Sequence, residues 1–63
     1  MDTKDFVVLF RETFDMATQE YGRYWSLADA IRACDEAYFE NPQASEIWIT
    51  RVSDDMQSDL YHI

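Results

Sequence analysis

The chain has 63 residues, with thirteen Asp and Glu against five Lys and Arg, for a formal net charge of −8. This length allows one domain, residues 1–63, with one small core; it excludes a multidomain enzyme, and no apolar run approaches the ~20 residues of a membrane span. Acidity of this order opposes binding to DNA, RNA or anionic lipid, where surface Lys and Arg supply most of the affinity, and favours basic partners. Met1-Asp2-Thr3-Lys4-Asp5 lacks the basic start of a signal peptide, so a cytoplasmic location is expected. With one cysteine, Cys34, neither a disulfide framework nor a Cys-rich zinc site holds the fold, and burial of side chains must do so.

In chain order, Phe6-Val7-Val8-Leu9-Phe10 opens a β-branched and aromatic segment that predicts a strand at about 5–13. The signal then weakens. Asp15 to Glu20 reads as a turn or a helical turn, and Tyr21 to Trp25 as a turn feeding a short strand, with Gly22 supplying a backbone angle other residues resist. Ser26-Leu27-Ala28-Asp29 matches the pattern in which a hydroxyl caps the first free amides of a helix. Leu27, Ala30, Ile31, Cys34, Ala37 and Tyr38 recur at steps of three and four and form an apolar stripe. Asn41-Pro42 ends it, giving a helix over about 27–40. Glu46 to Val52 is again strand material, Ser53 to Ser58 a turn with solvent-facing acids, and 59–63 a short edge strand. The expected fold is α+β: one helix on a three- to four-stranded antiparallel sheet, ordered ββαβ or ββαββ.

Both faces of these strands are apolar. Phe6, Val8 and Phe10 oppose Val7 and Leu9 on the first, and Trp48, Thr50 and Val52 oppose Ile47 and Ile49 on the later one. One helix covers one face. Either the 14–25 segment folds over the other or that face meets another chain, a second copy included. The aromatics mostly fill the core, with Tyr21, Tyr24 and Phe39 as candidate contact residues; Phe39 sits off the helix stripe.

The acids fall into groups. Asp29, Glu36 and Glu40 project away from the stripe with Asp35 at its margin, and Arg32 can bridge to Asp29, Asp35 or Glu36. Asp54 and Asp55 form a second acidic segment. Glu36 and Glu40 stand at the helix end whose dipole is already negative, against local stability. One turn apart, about 6 Å along the axis, they match what a groove built for a phosphate backbone accepts. In its short length, acidity, Ser26-Leu27-Ala28-Asp29-Ala30-Ile31 helix start and flanking strands, the chain resembles the small acidic inhibitors that bacteriophages use against host defence, the anti-CRISPR and anti-restriction DNA mimics. The likeness is one of size, charge and composition and carries no motif. It implies a basic nucleic-acid-binding partner, such as the PAM-reading subunit of a CRISPR effector or a restriction enzyme, met in the host cytoplasm.

Catalytic groupings are sparse. His62, the one histidine, is far from Cys34 in sequence, and Cys34 lies on the core stripe. Asp54, Asp55, Asp59 and His62 lack the glycine turn and spacing of a calcium loop. One glycine leaves no phosphate-cradling loop. The expectation is therefore a non-enzyme without cofactor or metal, monomeric or homodimeric. It inhibits a nucleic-acid-binding complex through Asp29, Asp35, Glu36, Glu40, Asp54 and Asp55. The alternative is a self-associating adaptor or regulatory module that binds protein through an apolar sheet face.

Overall fold

The computed structural model describes residues 4–13 and 17–63, so the part of the expected turn at 14–16 lies outside the described residues. β1 (Phe6–Glu12) is the central strand, and its run of apolar residues suits a position covered on both faces. β2 (Thr18–Tyr24) and β3 (Ala44–Arg51) flank it, and a two-residue β4 (Tyr61–His62) pairs with β3, giving an antiparallel sheet in the order β2-β1-β3-β4. Since β2 and β3 both run antiparallel to β1, they are parallel to each other. The helix α1 (Leu27–Glu40) must therefore cross one sheet face to join them. The α+β architecture is as the sequence predicts, in the ββαββ form.

The Oγ of Ser26 accepts the Asp29 amide at 3.1 Å and starts α1; at its other end the backbone and side-chain nitrogens of Asn41 both donate to the Ala37 carbonyl, at 2.9 and 3.1 Å. The helix buries Ala30, Ala33, Cys34 and Ala37 against Val8, Phe10, Ile47 and Ile49 of the sheet. Small residues on one layer and large ones on the other let the helix approach closely. Tyr38 departs from the expected stripe: it is exposed, and Ala33 takes a place in the buried row. At 100° per residue, Ala30, Ala33, Cys34 and Ala37 centre the buried arc about 90° from Tyr38.

β2 is the larger correction. Its sequence lacks an apolar alternation, yet residues 18–24 are strand, because β1 offers a full row of backbone partners. The register shifts between Val8 and Leu9, which pair with Gly22 and Glu20, so Tyr21 is an extra residue on the β2 side. This bulge turns Tyr21 onto the helix face, where its ring meets Phe10 edge to face at 6.4 Å. Gly22 does not supply an unusual backbone angle, since its φ is not positive. Its role is space: a Cβ there would stand 2.5 Å from the Tyr24 hydroxyl.

The second sheet face is not covered by the segment before the helix, whose residues Thr18–Tyr24 form the edge strand β2. Instead the chain after β3 makes a 3-10 turn at Val52–Asp54 and folds back: Met56, Gln57, Ser58 and Asp59 line a cleft with Arg11, Glu46, Trp48 and His62. Ser58 Oγ accepts the Arg51 amide at 3.2 Å and lies 3.4 Å from the Thr50 hydroxyl, while the Leu60 amide donates to Ile49 at 2.8 Å. Val7, Leu9 and Thr50 are buried within the chain.

Candidate functional site

The six carboxylates singled out in the sequence do not form one group. Asp29, Asp35, Glu36 and Glu40 lie exposed along α1, whereas Asp54 and Asp55 occupy the turn after β3. Phe6 pairs with both Tyr24 and Arg51, so α1 begins and β3 ends at the same end of the sheet. Glu36 and Glu40 are thus at the opposite end from Asp54 and Asp55, about a helix length of ~20 Å away.

The bases decide which acids are free. Arg11 Nη1 is 2.6 Å from Glu46, Arg23 Nη2 is 3.1 Å from Glu20, and Arg51 Nη2 is 2.7 Å from Asp5. All three pairs belong to the sheet or the segment entering it. Lys4 sits 5.8 Å from the centre of the Trp25 ring. Arg32, expected to bridge along the helix, makes no ion pair among the described residues. Among those residues Asp29, Asp35, Glu36, Glu40, Asp54 and Asp55 likewise have no Lys, Arg or His within ion-pair distance. Asp54 accepts the Gln57 amide at 3.2 Å.

Two of the helix acids have tyrosine neighbours. The Tyr21 hydroxyl donates to Glu40 Oε2 at 2.6 Å. That bond, with desolvation and the Glu40 and Glu36 charges behind it, pushes the Tyr21 phenol up to about 12. Burial, then the Glu36 charge, raises Tyr24 as well. The β2 side of the helix therefore presents neutral phenols beneath two carboxylates, a combination that leaves the negative charge uncompensated. The sequence flagged Tyr21 and Tyr24 as contact candidates but gave no sign of this pairing, which depends on the bulge.

Phe39 stands where its position off the stripe suggests, in solvent, and Tyr38 joins it. Cys34 is fully buried, and burial, with a smaller push from Asp35, raises its thiol to about 11. His62 stacks on Trp48 on the other face of the sheet, so the two do not meet. His62 Nδ1 is 2.9 Å from Asp59 and Nε2 is 3.6 Å from Glu46, which sequence spacing did not reveal. Among the described residues no three His, Cys, Asp or Glu are grouped to hold a metal, and no helix is long and apolar enough to cross a membrane. Compared with known proteins, the chain matches no family model, no curated protein and no solved structure.

Proposed function

We propose that the protein is an acidic inhibitor of a nucleic-acid-binding complex, of the anti-CRISPR or anti-restriction kind, acting in the cytoplasm and presenting helix carboxylates where DNA phosphates would sit. One observation carries the reading: three of the four arginines pair with sheet-side acids, and among the described residues Asp29, Asp35, Glu36 and Glu40 have no cationic partner on an exposed helix. An unneutralised row of this kind steers a basic groove toward the helix and contributes on-rate and specificity. Asp54 and Asp55 stand at the end of the sheet where α1 begins, a helix length from Glu36 and Glu40, and extend the acidic surface rather than join that pair. Self-association through the second sheet face has less to rest on, since Val7 and Leu9 there are already buried within the chain and Trp48 is half-buried.

The test is inhibition of DNA cleavage by purified CRISPR effectors and restriction enzymes, titrated at low and physiological salt. Inhibition is expected to weaken as salt rises and to fall by about tenfold or more in the Glu36→Lys, Glu40→Lys double variant. Inhibition that ignores both salt and charge reversal, or its absence across the panel, would sink the proposal.

A further inference from the structure

Phe39 is the most exposed of the large apolar side chains among the described residues, at 83%, and its neighbour Tyr38 is 55% exposed. Their rings meet edge to face at 6.1 Å. Neither fills the core, whose helix side is alanine and cysteine. At helical spacing Ala28, Arg32, Asp35 and Phe39 form the stripe pointing directly away from the sheet, and all four are exposed. Helical side chains lean toward the N-terminus, so Phe39 lies over the turn that carries Asp35 and Glu36, with Glu40 next in sequence. The result is an aromatic knob rimmed by carboxylates. An apolar anchor inside a polar rim is the usual arrangement of an interface hot spot.

We infer that Phe39, supported by Tyr38, anchors the partner interface, and that the partner is a basic protein surface carrying an apolar socket. Phe39 enters the socket while lysines or arginines around it meet Asp35, Glu36 and Glu40. The inference rests on the helix being the partner-binding face and adds what kind of surface it recognises. Charge selects this occupant. A second copy would set Asp35, Glu36 and Glu40 against the same residues with Arg32 alone to offset them, and an anionic lipid surface would be repelled outright. A purely cationic groove would engage the acids and leave the aromatic pair in water. A mixed surface uses both, and its cations also gain from the faces of the Phe39 and Tyr38 rings.

Two helical peptides of equal length and equal lysine content serve as probes, one bearing a leucine stripe and the other glutamine in its place. The protein is expected to bind the leucine peptide about tenfold more tightly at physiological salt, and Phe39→Ala to erase that preference while Phe39→Leu keeps it. Because Phe39 is exposed, Phe39→Ala should keep its circular dichroism spectrum, which is checked alongside. Equal binding of the two peptides, binding of neither, or a preference that survives Phe39→Ala overturns the anchor. The charge reading fails separately. It falls if Glu36→Lys, Glu40→Lys leaves binding of the glutamine peptide unchanged, and it stands if that binding is lost while Phe39→Ala has no effect.

Discussion

At the scale of single residues, the contact between Tyr21 and Glu40 is the most informative. A carboxylate accepting a hydrogen bond from the phenol at 2.6 Å favours the neutral phenol and is the largest cause pushing Tyr21 up to about 12. A folded pKa raised above the unfolded value gives stability that is fully present below pH ~10 and is lost as pH rises through the folded value. Glu40→Ala should therefore bring one tyrosine's ultraviolet titration down toward pH ~10 and remove that part of the alkaline dependence. No change in the titration would mean the hydrogen bond is not held in solution. Asp5 works in the opposite direction. Burial pushes its carboxyl up, but the Arg51 and Ser53 hydrogen bonds outweigh this and hold it below its ordinary value. Its contribution is present above the ordinary aspartate range and is lost as pH falls through the lowered value, so Asp5→Asn should flatten the acid limb of a stability–pH curve. Cys34 offers a simpler check. A fully buried thiol raised to about 11 should resist thiol reagents at neutral pH in the folded protein and react once urea unfolds it. Fast labelling of native protein would contradict its place in the core.

Elements differ in how much of them local sequence controls. The helix was legible because its determinants are local: the Ser26 cap, the small apolar stripe and Asn41-Pro42 all act within a turn or two, and its bounds match the prediction. β2 was legible only as a short strand after Tyr21; its extent back to Thr18 was not, because Thr18–Tyr24 is a strand by pairing with β1 rather than by its own residues. The fold of residues 52–60 over the second sheet face was equally hidden, since it depends on Ser58 meeting Thr50 and Arg51. The acidic helix could be read as a candidate site, but its separation from Asp54 and Asp55 could not, being a matter of topology. That turn carries its own prediction. Asp55 and Met56 both have positive φ, and their amides donate to Val52 and Arg51 in the manner of a Schellman cap, where glycine is the usual residue. Asp55→Gly removes a left-handed cost of at most about 1–2 kcal/mol, Asp being among the more tolerant residues, and adds a chain-entropy cost of about 0.5–1 kcal/mol, for a net gain of about 0–1 kcal/mol by urea denaturation. It should leave inhibition intact if the helix is the working face.

The whole molecule separates its charges. Arg11, Arg23 and Arg51 pair with acids of the sheet and the segment entering it, while among the described residues the helix carboxylates have no cationic partner. One distribution then makes binding and folding respond to salt in opposite senses. Screening weakens attraction to a basic partner, but it also relieves repulsion among the acids of a chain carrying −8. The sheet's ion pairs oppose this relief, yet each is partly exposed and worth about 0.2–1 kcal/mol at most, and screening removes only a fraction of that. Self-repulsion, together with Glu36 and Glu40 at the negative end of the helix dipole, is the larger effect. Thermal melts in about 10 mM and about 500 mM NaCl, which shorten the Debye length from about 30 Å to under 5 Å, should therefore show the melting temperature rising with salt. In Glu36→Gln the low-salt melting temperature should start higher, by the equivalent of about 0.3 kcal/mol or more, and the rise should be smaller. Glu40→Gln should gain less, because the same change weakens the bond from Tyr21. A melting temperature that falls with salt would mean the arginine pairs of the sheet dominate and the bare carboxylates cost the free protein nothing; their placement at the helix C-terminus would then need no binding partner to account for it.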